Sequence, residues 1–164
     1  MESFKEALKQ LEDSAVFKEW IKENKKCYLS YGFAMVRGDD IWRIGYYNPE
    51  NQRVVSFVID KDISMEHEDE SFKKPESEVK RLETDKIKIE YDSALEKADA
   101  LQKEKYSAEI PLKIIMIIQN HNELGQIWNI SYITQSFKTL NIKINAENNE
   151  ILKEEMIALF EFKK

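Results

Sequence analysis

The chain has 164 residues and a mass of 19.4 kDa, with 42% hydrophobic and 34% charged residues and a formal charge of −6. The apolar share suffices for a packed core in one domain or two small ones, and 11% aromatic residues is too rich for a disordered chain. The acidic balance excludes DNA and RNA as expected partners, since phosphate binding needs clustered Lys and Arg. No run approaches the roughly 18 apolar residues of a membrane helix.

Phe4, Ala7, Leu8 and Leu11 stand at i, i+3, i+4 and i+7, which predicts a helix over 3–11, and Ser3 and Glu6 have capping-box spacing. Asp13-Ser14 caps or bends this helix into a second one, carried by Phe17, Trp20 and Ile21 as far as Asn24. Cys27, the only cysteine, has no disulfide partner in the chain and reads as a small buried hydrophobe. Strands are predicted over 28–36, 41–47 and 53–59. Their separators, Arg37-Gly38-Asp39-Asp40 and Asn48-Pro49-Glu50-Asn51, have hairpin chemistry. Residues 62–84 are crowded with Lys and Glu and read as a charged linker or long excursion. The alternating Ile87-Lys88-Ile89-Glu90-Tyr91 reads as a short strand. It leads to a helix with Ala94, Leu95, Ala98 and Leu101 on one face, where Ser93 and Glu96 have capping-box spacing. Three further strands follow over 112–118, 127–133 and 138–144, and the apolar 156–162 reads as an edge strand or a short docking helix.

The order helix, strand, strand, strand thus occurs twice, and the spacing repeats with it. Ala7 precedes Trp42 by 35 residues and Ala94 precedes Trp128 by 34; Trp42-Arg43-Ile44-Gly45-Tyr46 aligns with Trp128-Asn129-Ile130-Ser131-Tyr132. One residue of slip per segment is what hairpin-length variation produces, so an internal repeat is expected.

A helix carrying Ala94-Leu95, a strand opening on Trp128, and a third strand closing on Ile142-Lys143-Ile144-Asn145-Ala146 before Asn149-Glu150-Ile151-Leu152 resembles the PepSY domain. The likeness spans about 86–152, and in the first half it rests on Phe4 to Leu11, Trp42-Arg43-Ile44 and Val58-Ile59-Asp60. Lys61-Asp62-Ile63-Ser64 lacks the family's Gly-Glu turn, and Asn145 and Asn148-Asn149 stand in place of its acidic and glycine residues. The resemblance implies a cystatin-like α+β module, one helix packed across an antiparallel sheet. It also implies binding or inhibition of a protein or peptide, a peptidase among the candidate partners, and no catalytic residue.

The expected architecture is therefore α+β: two similar cystatin-like units of one helix region and three strands, 1–84 with the charged linker and 85–164, related by a pseudo-twofold duplication. The two sheets would pack about that axis or sit as separate modules. Binding residues would be Trp42, Tyr46, Tyr47, Trp128 and Tyr132, whose aromatic rings suit either a core or the walls of a cleft. The rival reading is a small-molecule-binding protein or enzyme with a pocket under a curved sheet lined by Tyr28, Phe33, Trp42, Trp128 and Tyr132. No cofactor or metal is expected. Glu66-His67-Glu68-Asp69-Glu70 lacks HExxH and EF-hand spacing, His121 falls in a turn, Asp39, Asp40 and Asp60 read as turn residues, and Ser30 and Ser131 have no local partner. The N-terminal residues lack a secretory pattern, which points to the cytoplasm, with an extracytoplasmic location as the alternative if a leader or anchor has been removed.

Overall fold

Ser3 sets the first turn. Its hydroxyl accepts from the Glu6 amide at 3.1 Å while the Glu6 carboxylate accepts from the Ser3 amide at 3.0 Å, the reciprocal pair that the spacing predicts. The helix so started, α1 (Phe4–Asp13), buries Phe4, Ala7, Leu8 and Leu11. Ser14 ends it and begins α2 (Ala15–Glu23). Its hydroxyl donates to the Leu11 carbonyl at 2.6 Å and accepts from the Phe17 amide at 3.2 Å. A computed structural model of the chain describes residues 1–66, 69–70 and 78–158, the side chains of 69 and 70 excepted.

Strands β1 (Tyr28–Val36), β2 (Trp42–Asn48) and β3 (Arg53–Ile59) form two antiparallel hairpins. Arg37 and Asp40 take left-handed φ of 57° and 54° in the first turn, where the Asp40 carboxylate accepts from the Arg37 amide at 2.7 Å. The short β4 (Ile63–Met65) and β5 (Asp69–Glu70) both pair with β3. A 3-10 turn at Thr84–Lys86 precedes α3 (Tyr91–Lys105). The chain then runs through β6 (Pro111–His121), β7 (Gly125–Thr134), β8 (Lys138–Asn145) and β9 (Ile151–Ala158).

The strands make one antiparallel sheet in the order β4-β3-β2-β1-β6-β7-β8-β9, with β5 beside β3. At its centre β1 pairs with β6 through Gly32 and Ile118, Phe33 and Ile117, and Ala34 and Met116. The three helices contribute to a single core on one face of this sheet, where Phe4, Leu11, Phe17, Ala94, Ala98 and Leu101 meet the inward residues of six strands. Gly32 is required there: a Cβ would lie 2.3 Å from the Phe4 ring and 2.9 Å from Ile118 Cγ2, so its absence lets Phe4 lie directly on β1.

Several expectations are corrected. The halves neither stack sheet on sheet nor stand apart, because hydrogen bonding between β1 and β6 makes their strands one sheet over one core. Ile87-Lys88-Ile89 is not a strand. Its alternation is real in burial, with Ile87 in the core, but the amides of Lys88 and Ile89 both donate to the Ala146 carbonyl at 2.9 Å, so the segment crosses the end of β8 instead of pairing along it. The capping box at Ser93 and Glu96 is absent: α3 starts three residues earlier, at Tyr91, with Glu90 and not Ser93 as its N-cap. The final segment is an edge strand that begins at Ile151. The charged stretch is more than a linker, since it holds β4, β5 and Leu82, which is buried in the core and whose amide donates to the Leu29 carbonyl at 2.9 Å. Ser30 is the extra residue of a bulge in β1 and donates to the Gly45 carbonyl at 3.0 Å, while Ser131 Oγ accepts from Asn141.

Candidate functional site

The five aromatic residues singled out from sequence divide between the two sheet faces. Trp42, Tyr46, Trp128 and Tyr132 face the helices and are 1%, 5%, 0% and 1% exposed. Tyr47 is buried on the opposite face, where its ring stands 5.5 Å from that of Tyr28. None of the five walls an open cleft. Nor does one pocket gather Tyr28, Phe33, Trp42, Trp128 and Tyr132, because strand alternation puts Tyr28 and Phe33 on the face away from the helices.

Each tryptophan instead ties a helix start to the sheet. The Trp42 indole N–H donates to the Glu2 carbonyl at 3.0 Å and that of Trp128 to the Ile89 carbonyl at 2.8 Å, in both cases two residues before the helix begins. The tyrosines tie the helices further along: Tyr46 donates to Glu12 at 3.4 Å, and Tyr132 to Asp99 at 2.8 Å. Asp99 also pairs with Arg37. Burial, reinforced by the adjacent carboxylates, pushes both phenols well above their ordinary range. The starts of α1 and α3 meet over the tryptophans, where Glu90 accepts from the Phe4 amide at 3.3 Å and Tyr91 donates to the Met1 carbonyl at 2.8 Å. Burial raises the Glu90 carboxyl above its usual value, with the Phe4 bond acting in the opposite sense.

Two open grooves flank the helices. One lies beside Arg37, Asp92, Leu95 and Asp99, the other beside Lys5, Leu8, Glu12 and Asp85. Among the described residues no group of three His, Cys, Asp or Glu is placed to hold a metal ion. Within the acidic run, His67 and Glu68 and the side chains of Asp69 and Glu70 lie outside the described residues. Asp39 pairs with Arg43 at 2.8 Å and Asp60 is exposed at the end of β3. His121 ends β6, half-buried, where Nδ1 accepts from the Glu123 and Leu124 amides at 3.1 and 3.3 Å. Burial, then the nearby Lys143 charge, lowers its pKa.

The sheet face away from the helices carries two kinds of surface. Across β1 and β6 it is apolar, with Phe33, Met35, Ile115 and Ile117 half-buried and the Arg43 guanidinium 5.9 Å from the Phe33 ring. Across β7 to β9 it is a hydrogen-bonded polar array: Asn141 donates to Asn129 at 2.6 Å and to Ser131 at 2.9 Å, and Lys143 donates to Asn141 at 2.6 Å. Lys143 is lowered in pKa mainly by burial. Sequence alternation marks these residues only as outward-facing. Their mutual bonding depends on the register of β7 against β8, which no single-strand pattern specifies.

The two ends of the sheet differ. Beyond β3 the edge is broken between the three residues of β4 and the two of β5. At the other end β9 runs for eight residues, paired on one side with β8 and on the other with nothing among the described residues. Its Ile157 is 45% exposed. Such an edge presents a row of backbone donors and acceptors to another extended chain.

No family model matches the chain, and no curated protein matches it. Among solved structures it resembles the crystal structure of a "putative lipoprotein" from Clostridium difficile 630. The TM-score is 0.51 at 12% identity, over 86% of this chain and 90% of that one. At this identity the likeness shows a shared fold alone. No helix among the described residues is long and apolar enough to cross a membrane.

Proposed function

We propose that the chain is a non-enzymatic protein- or peptide-binding module, a duplicated PepSY-like unit whose two cystatin-like halves, 1–84 and 85–164, share one sheet and whose β9 edge receives an extended segment of its partner. The observation that carries the binding role is the eight-residue β9, bulged once at Leu152 and unpaired on its outer side among the described residues, whereas the other end of the sheet is broken between β4 and β5. Main-chain bonds to an added strand give affinity, and the side chains flanking it give selectivity.

The duplication is supported by bonds that repeat at a constant offset. Glu2 and Ile89 accept from Trp42 and Trp128, and Glu12 and Asp99 accept from Tyr46 and Tyr132; each helix partner lies 87 residues on and each strand partner 86. The central register has the same property. Phe33 lies opposite Arg43, and Ile117 opposite Asn129, so Phe33 and Ile117 are equivalent positions, and they pair with each other across the β1–β6 join. A local twofold axis through that pair would produce this register.

The reading is tested by hydrogen exchange of the full chain in the presence of extended ten-residue peptides selected for binding from a random library. Protection concentrated in β9, and lost in a Glu155→Pro variant that keeps its circular dichroism spectrum, is the expected result. Selected peptides that protect other elements and bind the proline variant equally would end it. The peptidase part of the proposal is tested by inhibition of a panel of secreted peptidases, and cell fractionation separates a cytoplasmic from an extracytoplasmic setting.

A further inference from the structure

We propose that the segment β9 accepts is β9 of a second copy, paired antiparallel about Glu154 so that two sheets join into one. This rests on the reading of β9 as a docking strand and adds the identity of what docks.

The edge limits the possible registers. If the helices of both copies are to lie on the same side, opposed residues must point to the same face, so the twofold axis passes through a residue and not between two. Register against β8 places Lys153, Glu155 and Ile157 on the face away from the helices, and Glu154 and Met156 on the helix face. An axis at Lys153 opposes two lysines, and an axis at Glu155 opposes two glutamates. The axis at Glu154 sets Lys153 of each copy against Glu155 of the other, twice, within the regular stretch of β9 that follows the bulge at Leu152. Opposed Cβ atoms in an antiparallel pair stand about 4.5–5.5 Å apart, within reach of a lysine–glutamate contact.

The charges are available for this. Among the described residues the cations that approach Glu155 are Lys143 and Lys153, each at 3.9 Å, and the Lys153 and Glu155 side chains are 56% and 38% exposed. The one like-charged opposition, Glu154 with its copy, is compensated in advance, since each Glu154 holds Lys105 of its own α3 at 2.7 Å. Charged residues on an edge discourage indiscriminate strand addition. Here the same residues leave one register self-complementary.

Sedimentation equilibrium of the full chain tests this. The expected result is a monomer–dimer equilibrium, with K153E and E155K each weakening association about tenfold or more, because an isologous interface feels every substitution twice. The double variant K153E/E155K recovers association, and an equimolar mixture of the two single variants forms a heterodimer more tightly than either variant pairs with itself. A wild-type chain that stays monomeric throughout, or a dimer indifferent to both reversals, overturns the proposal. If the chain is monomeric yet selected peptides still protect β9 from exchange, self-pairing fails while the docking-strand reading stands. If peptides also leave β9 unprotected, both fall. Circular dichroism of each variant confirms that it is folded.

Discussion

The rings of Trp42 and Trp128 lie 6.1 Å apart, inclined at 43°, beneath the point where the starts of α1 and α3 meet. The Phe4 ring packs against Trp42 at 5.4 Å and that of Tyr91 at 6.0 Å. The four rings come from both halves of the sequence, so this part of the core belongs to neither half alone.

Removal of either indole N–H is therefore expected to destabilise the whole molecule. Trp42→Phe and Trp128→Phe each leave a backbone carbonyl without its donor, at a cost of about 1–3 kcal/mol, and Trp→Ala costs about 3–5 kcal/mol. In urea titrations each variant should move a single transition seen alike by fluorescence and far-ultraviolet circular dichroism. Two separate transitions, only one of them moved, would show that the halves unfold independently.

The two strand glycines should respond unequally to a methyl group. At Gly32 the added Cβ meets Phe4, which is 0% exposed and pinned in the core, whereas at Gly45 it meets the half-buried Tyr31 ring at 2.2 Å on the open face. Tyr31 can give way toward solvent at the cost of its 2.8 Å bond to Ser56, and Phe4 has nowhere to move. Gly32→Ala is expected to cost about 1–3 kcal/mol, in the range of overpacked cores, and Gly45→Ala less. Equal losses in thermal denaturation would contradict this.

How much of this was legible in the sequence depends on the range of the interaction. Ser3 with Glu6, the break at Ser14 and the inward face of Trp42, Ile44 and Tyr46 follow from spacing alone, and the structure has them. The start of α3 lies upstream of its local signal: Ser93 and Glu96 carry the capping-box spacing, while the choice is made by Ile87 entering the core and by Glu90 reaching Phe4, 86 residues away. The edge strand begins at Ile151, five residues before the apolar run that marks it in the sequence. Lys153, Glu154 and Glu155 interrupt the apolar run, and β8 pairs with them regardless of polarity. Burial of Trp42 and Trp128 was one of the two readings their residue type permits. The β1–β6 join has no local signature at all.

Glu90 should make stability fall as pH rises. Its carboxyl titrates higher in the folded chain than unfolded, so the folded state holds the proton more tightly and stability declines from the ordinary carboxyl range up to the raised value. Glu90→Gln keeps an acceptor for the Phe4 amide and removes the buried charge. Relative to wild type the variant is expected to be more stable at neutral pH and to lose that advantage in acid, where Glu90 is protonated in both states. A stability difference constant with pH would count against it.

Tyr46 and Tyr132 should add a second decline in the same direction at high pH. Their phenols are raised in the folded state, so the stability they confer is complete below the unfolded phenol pKa and is lost as pH rises above it. In a spectrophotometric titration these two hydroxyls should ionise only as the chain unfolds. Replacing both with Phe should remove amplitude from that late cooperative step.

The strand pair at the middle of the sheet has a consequence for assembly. β1 and β6 are brought together only after some eighty intervening residues have been ordered or looped out, so their contact closes one of the longest loops in the fold and belongs among its slower steps. Until it closes, each half displays an inner strand that is apolar on both faces, a more adhesive edge than β9. Two chains that reach this stage together can close the seam with each other's half, giving a domain-swapped pair with the same internal register as the monomer. Separately expressed fragments 1–84 and 85–164 would be expected to fold by finding that seam in each other.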